Sequence, residues 1–304
     1  MGFMRHFTLR SKVSKAGFVA LIGRPNAGKS TLMNWLLGEK IALVSQKANA
    51  TRKRANAIVM HDDDQIIFVD TPGLHKAEKL LNQYMLEEAL KAIGDCDIVV
   101  YLAPASDATV HYEKFLEMNA DKRKHIIVLS KIDQISQGEL LKKISDYNRF
   151  SDHFLALIPM SVTKNVGKKD LLDTIVKYLD ESPYLYDPEN ITTEMIRDIY
   201  KEFIREAIFE NISDEIPYES DVIIDSIDED APVEHIRATI IIEKESQKGI
   251  IIGKGGSAIK RIGKNAREKI ERLTSKPVYL ELFVSVKKGW TTDKKFLSDL
   301  GYDW

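Results

Sequence analysis

An α/β fold in two parts is predicted by three features: a glycine-rich loop set between an apolar run and a helical one, apolar runs that alternate with helical stretches as far as residue 180, and a second glycine-rich loop ahead of a basic helix. Alternation of this kind gives a mostly parallel sheet with helices on both faces; the later order suits a smaller α+β unit. At 304 residues the chain fits two domains, on a scale of about 100–200 residues each. The expected limits are an N-terminal extension over 1–15, a first domain over 16–180, a linker over 181–191, and a second domain with its C-terminal tail over 192–304.

The first loop reads Gly23-Arg24-Pro25-Asn26-Ala27-Gly28-Lys29-Ser30-Thr31. It follows Phe18-Val19-Ala20-Leu21-Ile22 and leads into the helical run 31–37. That is the strand–loop–helix setting a phosphate-binding P-loop requires. Backbone N–H groups and the helix N-terminus face the anion, Lys29 reaches the β- and γ-phosphates, and Ser30 holds Mg²⁺.

A polar, poorly patterned segment over 39–54 follows and reads as a mobile loop. Runs at 57–60 and 65–69 around the turn 61–64 form a hairpin, whose second strand ends at Asp70-Thr71-Pro72-Gly73. Further apolar runs lie at 98–102, 126–129 and 154–159; 80–93 and 171–179 are the clearest helices between them. In such sheets ligands bind beyond the carboxyl ends of the strands, where each motif falls. Asp70 is placed to hold the Mg²⁺ shell through water, and Thr51 to add a second hydroxyl to the metal. Gly73 has no side chain to block its N–H from a γ-phosphate. A loop held only by γ-phosphate and Mg²⁺ is released on hydrolysis, which makes the domain a switch. At Ser130-Lys131-Ile132-Asp133 the carboxylate can accept from N1–H and the exocyclic amine of guanine, a pair adenine lacks. Lys131 can lay its stem over the base, and Ser161-Val162-Thr163 can turn a backbone N–H toward guanine O6. GTP and GDP are the expected ligands.

Cysteine is scarce: Cys96 alone rules out an internal disulfide and suits a reducing compartment. Residues 1–15 are basic without a sustained apolar core, the reading being no secretory signal. Gly2 suggests myristoylation, but His6 stands where that signal wants Ser or Thr. No apolar run approaches the roughly 18 residues needed to span a bilayer, so a soluble, cytoplasmic protein is expected. The net charge of −2 hides an asymmetry. Residues 181–230 carry 16 acidic and 3 basic side chains, net −13, and residues 244–288 carry 12 basic and 4 acidic, net +8. The basic block reads as a nucleic-acid footprint.

Prolines at 183 and 188 among acidic and polar neighbours mark the boundary. Beyond it come a helix over 193–209, strands over 221–228 and 233–243, a basic helix over 257–273 and a last strand over 277–286. Before the basic helix, Ile252-Gly253-Lys254-Gly255-Gly256 fits the GxxG loop of a KH domain, in which a nucleic-acid backbone approaches closely between two helices. Ile250, Ile251, Ile252 and Ile259 are expected to supply the apolar walls; Lys254, Lys260, Arg261 and Lys264 supply charge. The element order suits a type II KH fold. A second nucleotide loop is the competing reading, but Ser257 stands where a P-loop needs lysine.

Together these motifs resemble those of bacterial Era-type GTPases, of the translation-factor-related class. GRPNAGKST, Thr51 with Arg52, DTPG, SKID and MSVTK fall on that class's five guanine-nucleotide motifs. In the second half, Phe203-Ile204-Arg205-Glu206, Glu215-Ile216-Pro217-Tyr218, KGIIIGKGG, Lys287-Lys288-Gly289-Trp290 and Leu300-Gly301-Tyr302 also match. Three departures are visible: Ser130 for the usual Asn, which shortens a bridge between base and P-loop; Ala50 where relatives often have a second Thr; and Val162 for Ala. The resemblance implies GTP hydrolysis with Lys29, Thr51 and Gly73 at the reacting phosphate, and Mg²⁺ on Ser30, Thr51 and Asp70. It further implies binding near the 3′ end of 16S ribosomal RNA, a role in maturation of the small ribosomal subunit, loose peripheral association with the inner membrane, and a monomer. Leu74 occupies the place of a water-orienting glutamine, and a leucine cannot orient water; His75 is its neighbour. In related GTPases a P-loop Asn helps hold a monovalent cation, and Asn26 occupies that position, so K⁺ is a second candidate cofactor. The rival reading is a non-catalytic regulator that senses GTP and binds RNA without appreciable turnover; a GTPase of the same class without KH function is the remaining alternative.

Overall fold

The computed structural model describes residues 14–42, 44–45, 50–74, 80–119, 121–213, 215–229 and 231–302. The first part runs β1 (Ala16–Ile22), α1 (Lys29–Leu37), β2 (Ala55–His61), β3 (Asp64–Asp70), α2 (Leu80–Asp95), β4 (Ile98–Pro104), α3 (Val110–Met118), β5 (His125–Ser130), α4 (Gln137–Asn148), β6 (Ala156–Pro159) and α5 (Lys168–Tyr178). Its six strands lie in the order β2-β3-β1-β4-β5-β6, parallel except for β2 against β3. Every residue of β3 and β4 is buried, as expected of strands covered on both faces by helices. One core lies against α1 and α5, and another against α2, α3 and α4. The hairpin turns at Asp62 and Asp63, with Asp62 at a left-handed φ of 51°, a conformation aspartate tolerates better than most residues.

The segment 39–54 departs from the expected mobile loop at both of its ends. Asn34 on α1 accepts from the N–H groups of Ile41 and Ala42 at 3.1 and 3.0 Å and donates to the Ala42 carbonyl. Ile41 and Ala42 are core residues, and Arg52 is buried. Polar side chains hold this backbone, so no apolar period announces it; residues 46–49 lie outside the described residues. The stretch after α5 is likewise fastened. Gln65 accepts from the N–H groups of Leu185 and Tyr186, and Ile58 N–H donates to the Ile191 carbonyl at 2.9 Å.

The second part runs α6 (Ile196–Asn211), β7 (Ser220–Asp228), β8 (Glu234–Ile242), α7 (Glu245–Ile252), α8 (Ser257–Thr274), β9 (Val278–Val286) and α9 (Lys294–Asp299). Strands β7 and β8 are antiparallel, β8 and β9 parallel. Ile236, Ala238, Ile240 and Ile242, alternate residues of β8, join one core with Phe203 and Ala207 of α6 and with Ala258, Ile262, Ala266 and Ile270 of α8. The latter four recur every fourth residue, the stripe of an amphipathic helix. The C-terminal segment folds back on the first part: Trp290, Leu297, Leu300 and Tyr302 pack with Leu81, Tyr84 and Met85 of α2.

Between the two parts lies a buried charge cluster. Asp221, fully buried at the start of β7, sits 3.3 Å from Lys201, 3.6 Å from Arg205 and 3.7 Å from Arg52, and Tyr302 donates its hydroxyl to it at 2.6 Å. Burial alone would raise this carboxyl, but Lys201, Arg205 and Arg52 outweigh burial and hold it well below the usual carboxylate range. A depressed pKa in the folded state means that the carboxylate stabilises above its unfolded pKa of about 3.9 and that this is lost as acid protonates it below that value. Asp221→Asn leaves buried Arg52 and Lys201 without their anion, and Arg205 with Glu202 alone, and is expected to cost about 3–5 kcal/mol. Thermal unfolding at pH 7 should show a large fall in Tm; a Tm within a degree or two of the parent would mean that the cluster is not a net stabiliser.

Candidate functional site

The P-loop emerges from β1, turns through two left-handed residues, Asn26 (φ 61°) and Gly28 (φ 104°), and enters α1 at Lys29. The Lys29 ammonium folds back over the loop, 3.2 Å from the Gly23 carbonyl and 3.3 Å from that of Arg24. Burial pushes it down to about 8, although Asp70 works the other way. Arg24 turns away: its guanidinium grips both oxygens of Asp107, beyond the end of β4. This clamp braces the loop from outside and went unseen in the sequence, where nothing links two residues so far apart.

Three oxygen-bearing side chains meet beside Lys29. Ser30 donates to Asp70 Oδ2 at 2.5 Å, and the Ser30 and Thr51 hydroxyls lie 3.1 Å apart. Asp70 ends β3 in the protein interior, and its Oδ1 is buried without a hydrogen-bond partner. An orphaned buried carboxylate oxygen is costly. Two hydroxyls and a carboxylate form an all-oxygen donor set of the kind Mg²⁺ takes, partly through water. The residues fit that ion. Burial pushes the Asp70 carboxyl up to about 6, against the pull of Lys29 and the Ser30 hydroxyl.

The DTPG turn is stitched to the P-loop. Thr71 donates its hydroxyl to the Leu21 carbonyl at 2.7 Å, and Leu74 N–H donates to the Gly23 carbonyl at 3.1 Å. Pro72 is buried between them. A Cβ on Gly73 would lie 2.6 Å from the Pro25 nitrogen, so a glycine is needed here for the loops to meet. Leu74, partly buried, packs against the second core. His75 lies outside the described residues.

Two further loops complete the pocket. Ser130, despite being shorter than asparagine, reaches the P-loop and donates to the Ala27 carbonyl at 3.2 Å. Lys131, at a left-handed φ of 59°, sends its ammonium to the Asn26 carbonyl at 3.0 Å. Ser161 donates to Asp133 Oδ1 at 2.5 Å and lies 3.0 Å from the Thr163 hydroxyl. These hydroxyls, Ser161 first, hold the Asp133 carboxyl below its usual range. The sequence reading expected a backbone role for 161–163; the Ser161 side chain fixes the acid as well. A cavity of about 960 Å³ is lined by Lys29, Ser30, Thr51, Lys131, Asp133 and Val162, and also by Phe209 and Glu210 from α6. That contribution from the second part was unforeseen.

At the other loop, Gly253 (φ 75°), Gly255 (φ 59°) and Gly256 (φ 78°) turn the chain from α7 into α8. A Cβ on Gly253 would lie 2.7 Å from the Ala258 nitrogen, whereas beside Gly255 there is open space. Gly253 thus closes the turn, and Gly255 leaves room for an approaching backbone. Lys254, Lys260, Arg261 and Lys264 are all exposed, and Ile252 is half-buried. Of the expected apolar walls, Ile251 belongs instead to the core, while Ile250, Ile252 and Ile259 remain accessible. Successive residues of a helix point about 100° apart, so three isoleucines in a row cannot share one face.

Residues 18–131 match the family model described as 50S ribosome-binding GTPase, and 204–291 match that of the KH domain. The chain is 51% identical to GTPase Era of Campylobacter lari over 289 residues, covering 95% of this chain and 99% of the relative. It is 51% identical to GTPase Era of Helicobacter pylori over 294 residues, covering 95% and 97%. Among solved structures it is similar to a variant of Aquifex aeolicus Era bound to GDP·AlF₄⁻ (33% identity, TM-score 0.91, covering 95% of this chain and all of that one). It is equally similar to Era in complex with MgGDPNP and nucleotides 1506–1542 of 16S ribosomal RNA (32% identity, TM-score 0.91, covering 96% and 100%).

Proton competition at Asp70 makes a pH test possible. Mg²⁺ needs the carboxylate, so Mg²⁺-dependent GTP binding should weaken by up to about tenfold per pH unit below pH 6 and level off above it. Mg²⁺ titrations between pH 5 and 8 check this, and Asp70→Asn should flatten the profile; a flat profile for the unmodified protein would remove Asp70 from the metal site.

Proposed function

The chain belongs to the Era family of GTPases, and from that premise we propose that it is a GTP-hydrolysing switch that engages the 3′ region of 16S ribosomal RNA through its KH domain and assists maturation of the small ribosomal subunit. The observation that carries the nucleotide half is the meeting of Ser30, Thr51 and the unpartnered Asp70 oxygen beside Lys29, with Lys29, Ser30 and Thr51 lining one cavity with Asp133. We read the G domain as 16–180, the linker as 181–191 and the KH domain with its tail as 192–304, after an extension over 1–15. The start of β1 at Ala16 and of α6 at Ile196 supports this division.

The site residues divide the work. Backbone N–H groups of residues 23–31, Pro25 excepted, cradle the phosphates, and Lys29 balances their charge. Ser30 and Thr51 hydroxyls and Asp70, the last through water, hold Mg²⁺, which when bound neutralises charge on the β- and γ-phosphate oxygens. Gly73 offers its N–H to the γ-phosphate. Asp133, oriented by Ser161, accepts from guanine; Lys131 covers the base; Val162 and Thr163 bring backbone toward O6. Ser130 keeps the P-loop half of the bridge made elsewhere by asparagine. Leu74 is apolar, packs against the core and cannot orient water; Asn26 would help hold a K⁺ ion, which when bound would supply charge compensation in the transition state.

For RNA, the half-buried Ile252, the loop Gly253-Lys254-Gly255-Gly256 and the exposed Lys260, Arg261 and Lys264 are the contact set, by likeness to the neighbour solved with 16S RNA. We place the protein in the cytoplasm as a monomer with loose attachment to the inner face of the membrane, which family resemblance supports. Among the described residues no helix is long and apolar enough to cross a membrane.

Lys254→Asp with Gly255→Asp sets two carboxylates where phosphates would run. Binding to RNA ending in the 16S 3′ tail should fall by about tenfold or more, with GTP affinity unchanged, in filter-binding and nucleotide titrations on one preparation. Because Gly255 is left-handed, circular dichroism must first show a folded variant; a folded variant with parental RNA affinity would remove this loop from the mechanism.

Multiple-turnover phosphate release should be faster in K⁺ than in Na⁺ at equal ionic strength, and Asn26→Ala should erase the difference. Equal rates for the unmodified protein would reduce Asn26 to a structural brace.

A further inference from the structure

Thr51 is bracketed by the second domain. On one side the Ala50 carbonyl accepts from Arg205 Nη2 at 2.9 Å, and Ala50 packs with Phe209 and Tyr218. On the other, the Arg52 guanidinium is spread over the carbonyls of Ser220 and Tyr218, at 2.8 Å each, and of Pro217 at 3.3 Å. Both arginines are 2% exposed. Between them Thr51 Oγ1 meets the Ser30 hydroxyl. A three-residue span whose central side chain points at the P-loop thus has both flanks fastened to a domain that begins well over a hundred residues later.

Arg205 is itself oriented before it reaches Ala50. Its Nη1 makes two bonds to the Glu202 carboxylate, at 2.7 and 2.8 Å, and its Nε lies 3.6 Å from Asp221. Nε makes no hydrogen bond at that distance, but a planar fork held through Nη1 by a carboxylate leaves the neighbouring Nη2 donor little freedom. Phe209, one helical turn on, meets the same Ala50 and also lines the nucleotide cavity.

We propose that Arg205 is a positioning residue for GTP hydrolysis: from the KH domain it fixes the backbone ahead of Thr51, and so keeps the Thr51 hydroxyl aimed at the oxygen set formed by Ser30 and Asp70. The inference rests on the reading of Thr51 as a Mg²⁺ ligand. Misplacing a reacting group by about 1 Å can cost around a hundredfold in rate, so a single bond to the Ala50 carbonyl has leverage on turnover although it touches no substrate.

The test uses the full chain with Arg205→Met, which keeps the buried stem and loses the fork, Arg205→Lys, which keeps the charge and offers one donor direction, and Thr51→Ala. Arg205→Met should lower kcat by about tenfold and raise the Mg²⁺ concentration for half-maximal turnover, while GDP affinity stays near the parental value. Arg205→Lys should recover part of kcat. Arg205→Met combined with Thr51→Ala should be no slower than Thr51→Ala alone, because the two act through one hydroxyl. A folded Arg205→Met with parental kcat and Mg²⁺ dependence, or losses that multiply in the double variant, would overturn the proposal. If Thr51→Ala itself turns over like the parent, the metal reading of Thr51 fails instead. Should Arg205→Met not fold, Phe209→Ala loosens Ala50 without disturbing the charge cluster; it must show the same loss of kcat and shift in Mg²⁺ dependence, and parental values there overturn the proposal.

Discussion

The Arg52 guanidinium, buried among three backbone carbonyls and facing Asp221, is the contact on which the two-domain arrangement depends. A buried arginine carries a heavy desolvation penalty, and only a dense set of acceptors offsets it. Here the acceptors come from the turn before β7 and from β7 itself, while the arginine comes from the segment that bears Thr51. Neither part can satisfy this group alone. Lys53 repeats the pattern at the adjacent position, donating to the Leu300 carbonyl at 3.0 Å over the Tyr302 ring. The chain therefore couples its nucleotide-binding segment to its RNA-binding domain through groups that are expensive to separate.

That coupling draws on part of the acidic block. A net charge of −13 over residues 181–230 would be self-repelling on an open surface. Three of its acids instead face cations from elsewhere. Asp221 faces Arg52, Glu206 faces Lys40 of the G domain at 2.8 Å, and Lys269 of α8 lies 3.1 Å from Glu206 and 2.7 Å from Glu210. These three acids of the KH domain are counterions, both for the G domain and for the basic helix behind it. Meanwhile Lys254, Lys260, Arg261 and Lys264, on the loop and the exposed side of α8, keep their charge turned outward. Part of the acidic charge is structural, and the basic charge on the loop and helix is left for a polyanion.

Much of this was legible in the sequence, and the exceptions share a cause. The central strands stood out because β3 and β4 are buried on both faces and so read as unbroken apolar runs. Helix α8 stood out as a basic run after a glycine loop, and the nucleotide motifs by their residue types in a strand–loop–helix setting. The ends of 39–54 did not, because hydrogen bonds from Asn34 and the fork of Arg52 hold them, and these leave no periodicity. Ile250 and Ile251 look alike in a triplet; only the helix phase sends Ile251 into the core and leaves Ile250 52% exposed. Phe209 at the nucleotide cavity was invisible for a plainer reason: its partner Ala50 lies in another domain, and pairing at that distance has no local signature.

The electrostatics of the P-loop carry the same logic to the ligand. Lys29 and Asp70 are both buried, and burial shifts each toward its neutral form, the lysine down to about 8 and the aspartate up to about 6. Opposite shifts of this kind mean that desolvation is only partly relieved by the pair itself. An unpartnered Asp70 oxygen beside two hydroxyls says the same in geometric terms. A ligand that brings anionic phosphate to Lys29 and a divalent cation to Asp70 relieves both penalties at once, so Mg²⁺ and nucleotide should each favour binding of the other. Because Thr51 belongs to that oxygen set and its flanks belong to the KH domain's contacts, whatever strengthens the set also strengthens the join between domains.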